Sequence, residues 1–469
     1  MKRLISFVAA VIVMHTLTYG QAKWGGIARQ IAMGGSTAGQ GLVLNPFLWD
    51  DPALLLLNPA YQTLYKDYIW TNIGGGTLQG PTTADNGYGL QNAGVNFALG
   101  NQLTLGVTLS YDPSFANTAR TLIAGVGGLG FPVPLGFGSI AQRPISFIPA
   151  IANVWEVYGS MDMGAFDVGF GFMYGYSNSD SSQVTSTFSR SSEASARMFG
   201  FRGGVLVDLG GGNALDVSGA LRFDKANDKV SQTPSPATPT DGDYSVSGTE
   251  FQIQARARFR ISNRVSIIPY GAFGTLSGEP KEDRKPTAAA TSTPAALKAS
   301  LISAAFGVGM QYQSPTMLLA TGLSFFTARN KVEFSQRAVG GLPAVSVTGT
   351  VSNTSLPVVN LGGEWWFLDW LAARAGYYRT LGNFHLKIDS AIDTLRSSFE
   401  TNLSTPSSFL LFGRYNHDNI VTLGLGLRFG NFSLDATVSE EALRRGFGLF
   451  GGSDNINSFG FMNASYNFE

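Results

Sequence analysis

The chain has 469 residues, with 32 Lys+Arg against 32 Asp+Glu, and carries no net formal charge. Charged residues make up 14% of it, glycine is abundant at 58 residues and cysteine is absent. This balance excludes the basic footprint of a nucleic-acid binder, a disulfide framework and a cysteine metal site; a 44% hydrophobic content excludes a disordered chain.

Lys2 and Arg3 precede an apolar run over residues 4–13, followed by small residues up to Gly20. This pattern predicts a secretory signal peptide over residues 1–20, with the mature chain starting near Gln21. Beyond it no segment reaches the roughly 18 apolar residues of a spanning helix; the longest, 317–326, is too short. Residues 21–64 are apolar and do not alternate, so they need shelter from water.

From residue 65 the chain reads as strands of period two. Phe251, Ile253, Ala255, Ala257 and Phe259 share one face, with Gln252, Gln254, Arg256, Arg258 and Arg260 on the other. Residues 215–223, 421–429, 432–439 and 459–468 alternate in the same way. Tight turns are expected at Gly100-Asn101, 161–163, 210–212, Ser262-Asn263, 313–315, Leu368-Asp369 and Gly430-Asn431. Long links separate them, at about 112–152, 177–193, 224–247, 276–299, 329–355 and 380–418, with shorter ones near 78–87 and 441–455. Strict alternation of short turns and long links marks a membrane barrel. The fold class is therefore all-β, an antiparallel transmembrane β-barrel over residues 65–469. The turns give 16 strands, or 14 without the turn at 161–163.

Aromatic clusters at Tyr65, Tyr68 and Trp70, at Trp365, Trp366 and Trp370, and at Tyr377 and Tyr378 predict interfacial girdles. Helical spacing over 388–403 and a capped pattern over 439–446 predict short helices within links. Arg202, Asp208, Asp216, Arg222, Arg256, Arg258, Arg374, Arg428 and Asp435 should face the lumen, since each would cost up to about 2–4 kcal/mol facing lipid. They are read as a network, with arginines such as Arg256 and Arg258 able to bind a substrate carboxylate.

The link at 113–152 is nearly free of charge. Leu122, Ile123, Val126, Leu129, Phe131 and Phe137 make it a candidate apolar landing site for a ligand. Residues 125–130 fit GxGxxG but lack the strand–helix context of a dinucleotide site. His385 and His417 stand outside any catalytic motif, so no enzyme, no metal and no cofactor is expected.

Gly34-Gly35, the acidic pair Asp50-Asp51 and Asn58-Pro59-Ala60 just before the first strand resemble the N-terminal plug of the FadL family, outer-membrane transporters of long-chain fatty acids and other hydrophobic compounds. The resemblance covers about 40 residues, with 39–49 as an insertion, and the 16-strand count departs from that family's fourteen. It implies a luminal plug over 21–64 in the outer membrane of a Gram-negative bacterium. It also implies passive uptake of a hydrophobic or amphipathic molecule such as a fatty acid, with outer-membrane lipid as surroundings. The related PorV-type proteins of type IX secretion share much of the pattern and give the alternative, a barrel that binds secreted protein cargo.

Overall fold

The structure is a computed structural model that describes residues 24–35, 44–74, 91–112, 151–184, 189–233, 242–284, 296–336, 345–390, 419–438 and 459–468. Sixteen antiparallel strands close into one barrel in sequence order. They are β1 (Tyr68–Gly74), β2 (Gln91–Leu99), β3 (Leu103–Asp112), β4 (Ile151–Asp162), β5 (Phe166–Val184), β6 (Ser189–Gly210), β7 (Asn213–Thr233) and β8 (Gly242–Arg260). The second half comprises β9 (Val265–Arg284), β10 (Ala296–Gln313), β11 (Met317–Gln336), β12 (Val345–Leu368), β13 (Leu371–Ser390), β14 (Asn419–Phe429), β15 (Phe432–Val438) and β16 (Phe459–Asn467).

β1 pairs with β16 from Tyr68↔Asn467 to Gly74↔Phe461, which leaves no open sheet edge. Among the described residues no helix is long and apolar enough to cross a membrane.

Seven tight turns are present on one rim as expected, the one expected at 161–163 lying at 163–165 because β4 runs on to Asp162. Neighbouring turns bond to one another there: Asp162 N–H to the Gln102 carbonyl, Asp208 N–H to Ala165 and Gln313 N–H to Arg264. Asn467 N–H bonds to Asn431, and Phe468 N–H to Asp67, so the chain's last described residues join the same rim. Gly100 and Gly430, with φ of 76° and 60°, supply the left-handed backbone that two of these turns need.

The outward face is apolar. Phe97, Leu105, Trp155, Phe170, Phe201, Ile253, Phe306 and Val421 are exposed along it. The inward face carries Asn72, Asn96, Thr108, Glu156, Asp216, Arg256, Arg374 and Asp435, all buried. A strand puts successive side chains on opposite faces, so the alternation read from the sequence is the alternation of lipid and lumen.

Three expectations change. First, the links expected at 177–193, 224–247, 276–299 and 329–355 are strand wherever they are described. β5 and β6 pair from Val184↔Ser189 down, through residues expected as a link at 177–193. β5–β13 are 18–24 residues long, far more than the 9–11 a bilayer requires. The outer portions of β5 and β6, residues 177–183 and 189–195, are mostly Ser, Asn, Asp, Gln, Arg and Glu, so the hydropathy signal fades while the backbone ladder continues. Second, Tyr65, Tyr68 and Trp70 are buried rather than interfacial, as is Tyr378. Tyr68 lies tilted against Tyr65 (centroids 5.4 Å apart) and stacked on Trp70 (5.9 Å), in one cluster with Trp49, Leu54 and Tyr61 of the N-terminal segment. A girdle does form at the turn rim, from exposed Trp365, Phe367, Trp370, Phe429 and Phe468. Third, the helical spacing that starts at 388 begins inside β13, which runs to Ser390. The rest of 388–403, the segment 439–446 and the signal-peptide region 1–20 lie outside the described residues. Asp208 lies at the rim end of β6, opposite inward Ala214 as expected, but is exposed there and accepts from Gly210 N–H.

Candidate functional site

The site is built where the N-terminal segment meets the inward strand faces. Its described parts hold a short helix, α1 (Ile27–Ala32), and two 3₁₀ turns, Pro52–Leu56 and Pro59–Thr63. Asp51 and Asn58 cap the two turns, each side chain accepting from the backbone N–H two residues on, and proline at the next position fits the turn start. The acidic pair and the Asn-Pro-Ala of the sequence are thus turn starts. α1 is too short to hold itself and is buried along its whole length.

Contacts from this segment run around the sheet. Ile27 N–H donates to Asn72 Oδ1 on β1 (3.1 Å), and Thr422 Oγ1 on β14 donates to the Ile31 carbonyl (2.9 Å). Asn360 Nδ2 on β12 donates to the Gly34 carbonyl (2.7 Å), and Asn463 Nδ2 on β16 to that of Gly25 (2.7 Å). Trp49 N–H donates to Gln311 Oε1 on β10 (2.9 Å), and Asn96 Nδ2 on β2 to the Tyr65 carbonyl (2.9 Å).

Two ionic clusters anchor it. In the first, Arg29 grips Glu364 through Nε (2.8 Å) and Nη2 (3.0 Å), and reaches Asp51 (3.0 Å) and the Asp50 carbonyl (2.8 Å) through Nη1. Arg374 bonds Glu364 (2.6 Å) and Asp435 (2.5 Å), closing an Arg–Glu–Arg–Asp chain. In the second, Arg256 donates to Asp216 (2.7 and 3.0 Å), to the Tyr61 hydroxyl (2.9 Å) and to the carbonyls of Pro46 and Leu48 (both 3.2 Å). Asn58 Nδ2 joins at Asp216 Oδ1 (2.7 Å). Arg258 lies 3.5 Å from Asp50, and both arginines stack over the Trp49 ring at 4.9 and 5.3 Å. Paired buried charges of this kind are costly to strand: removing one partner costs about 3–5 kcal/mol. In the N-terminal segment, burial pushes the Asp51 carboxyl up to about 7, against the opposing pull of Arg29.

Glycines on the wall make room. Phe47 lies against Gly309 of β10 and Gly322 of β11, where any added Cβ would overlap its ring. Gly34 has a φ of 85°, and a Cβ there would lie 2.5 Å from the Leu361 carbonyl oxygen.

Of the expected site residues, Gly34, Asn58, Pro59, Ala60, Arg256 and Arg258 come together here. Pro59 and Ala60 lie against Gly169 of β5. Gly35 N–H bonds back to the Gln30 carbonyl. Every N–H of the Arg256 guanidinium is engaged by Asp216, Tyr61, Pro46 or Leu48. Leu122, Ile123, Val126, Leu129, Phe131 and Phe137 lie outside the described residues. Sequence reading passed over Arg29, Glu364, Asn360 and Gln311. The available signal was an acid or amide at an inward position of an otherwise apolar strand, such as Glu364 beside Trp365. Among the described residues no group of His, Cys, Asp or Glu could hold a metal ion.

Fold and wall contacts define a transmembrane β-barrel whose N-terminal segment is fastened to its inward face. No family model matches the chain, and no curated protein matches it. Among solved structures it is similar to the toluene transporter TodX of Pseudomonas putida, at 10% identity and TM-score 0.36, over 95% of this chain and 99% of that one. It is also similar to the ferric citrate transporter FecA (11%, TM-score 0.29, 85% and 78%) and to the siderophore receptor PiuA of Acinetobacter baumannii (9%, 0.30, 79% and 71%).

Proposed function

We propose that this protein is an outer-membrane channel for passive uptake of hydrophobic or amphipathic small molecules, fatty acids among them, and that residues 21–64 are its luminal plug. The observation that carries the reading is the N-terminal segment's attachment to inward residues on well-separated strands of the closed barrel, among them Asn72 on β1, Asp216 on β7, Gln311 on β10 and Asn360 on β12. A 16-strand barrel left open holds an aqueous channel; a segment bonded across it suits a solute that slips past apolar surface rather than one carried in bulk water. Downhill diffusion needs no cofactor. Arg256 acts as a clamp on the plug, and Arg258, with its side chain 25% exposed, is the better placed of the two to meet a substrate carboxylate.

The test is uptake of a fluorescent fatty acid into proteoliposomes. Replacing Leu122, Ile123 and Val126 together with Ser should slow entry while leaving barrel folding intact. Uptake equal to that of the parent, together with capture of a secreted protein tail by the external links, would replace this reading with the PorV-like one.

A further inference from the structure

We propose that the outer wall between β6 and β11 carries a binding site for the phosphorylated sugar headgroup of a membrane glycolipid. Arg197 of β6 and Lys225 of β7 stand directly opposite each other in the ladder. Like charges so placed destabilise a strand pair, and among the described residues neither forms an ion pair. Both are on the outward face. One outward step toward the turn rim, Phe199 and Phe223 stack with ring centroids 5.0 Å apart. The cations therefore sit where the apolar belt ends, at the depth of lipid phosphates.

The next strands continue the feature. Lys225 pairs with Ser247 of β8, which opens onto a cleft of about 390 Å³ lined by Ser247, Thr249, Ser277 and Ser300 together with Lys298 and Lys331. Glu279 and Glu333 complete it, Glu333 held by Lys331. All these side chains alternate outward, on the same face as exposed Phe251 and Ile302, which lie one step nearer the membrane. Arg329 pairs with Ile302 at that level.

The chemistry selects the occupant. Arg197, Lys225, Lys298, Arg329 and Lys331 outnumber Glu279 and Glu333, so the net field calls for an anion. Hydroxyls and two carboxylates are the groups that exchange hydrogen bonds with sugar hydroxyls. Phe251, Ile253, Phe273 and Ile302 below offer exposed apolar surface for acyl chains. A phosphate on a sugar, above acyl chains, satisfies all three; a phosphate alone leaves the hydroxyl-lined cleft unused.

The experiment uses the full chain in detergent micelles. It titrates a bis-phosphorylated glucosamine-disaccharide glycolipid, the same lipid dephosphorylated, and phosphatidylglycerol, with retention read by native mass spectrometry. Binding should rank in that order of preference for the phosphorylated glycolipid over both others and should weaken with added salt. Arg197→Ser and Lys298→Ser should each weaken it about fivefold, the worth of one cation at an anionic lipid surface, with folding checked by heat-modified gel mobility. Equal retention of the dephosphorylated lipid or of phosphatidylglycerol overturns the proposal. So does unchanged affinity in both folded variants, or, in the unaltered chain, binding indifferent to salt.

Discussion

Arg29 and Glu364 are joined by two parallel hydrogen bonds, of 2.8 and 3.0 Å, across 335 positions of sequence. One partner belongs to the N-terminal segment and the other to the wall at β12. Because Glu364 also takes Arg374, it is the one acid between two guanidinium groups. Glu364→Gln should leave two buried cations short of charge and loosen the segment by about 3–5 kcal/mol. Limited proteolysis of the folded barrel should then cut near residue 29 at a markedly higher rate. A digestion pattern like that of the parent would mean that the pair does not hold the segment.

Phe47 gives a packing test free of charge effects. Its ring occupies space that side chains at positions 309 and 322 would need. Gly309→Val should displace it, and Phe47→Ala alone should weaken docking by about 3–5 kcal/mol through the void it leaves. The two together should cost less than their sum, because valine fills part of that void. A double-mutant cycle on the rate of proteolysis measures the coupling; strict additivity would separate the two sites.

Asp51 makes docking depend on pH. Burial raises the Asp51 carboxyl to about 7 from 3.8, with Asp435 adding to the rise and Arg29 and the Ala53 N–H opposing it. Between these two values the docked segment holds a proton that the released one gives up. By linkage, docking is firmest below about pH 4 and weakens as pH rises toward 7, where the loss levels off. Protection of residues 24–35 against proteolysis or hydrogen exchange should therefore fall from pH 5 to pH 8. Asp51→Asn, which keeps a capping oxygen for Ala53, should flatten that profile; a variant as pH-sensitive as the parent assigns the effect elsewhere.

The barrel was legible because its signals are local. Glycine or asparagine marks five of the seven turns, with Ser314-Pro315 and Asp369 marking the other two, and alternation through 251–260 is enough to place Arg256 inward. The length of β5–β13 was not legible, because runs such as Ser189-Arg-Ser-Ser-Glu look the same whether paired in a ladder or solvated in a loop. The burial of Tyr65, Tyr68 and Trp70 was missed for a different reason. An aromatic at a strand start is equally suited to a membrane interface and to a cover over a packed segment, and only the segment's path decides. The contacts at Asn360 and Gln311 join residues hundreds of positions apart and carry no local pattern at all.

The plug reading makes one demand that the others do not. If residues 24–35 and 44–66 are bonded across the lumen, removing them must open a path that the intact chain closes. Deleting 28–58 takes away Arg29, Phe47, Trp49, Asp51 and Asn58 together, and with them both ionic clusters on the segment side. The wall keeps its own pairs, Arg256 with Asp216 and Arg374 with Glu364 and Asp435, so its charges stay compensated and the barrel should still close. In a planar bilayer the shortened chain should show large, steady single-channel conductance, approaching that of an open 16-strand pore, while the intact chain conducts little. The paired control is Arg256→Ala in the full chain, which strips one anchor and should give brief openings rather than a steady current. If the deletion folds by heat-modified mobility and still conducts no more than the parent, residues 21–64 do not block the pore, and diffusion past a plug is not how this barrel works.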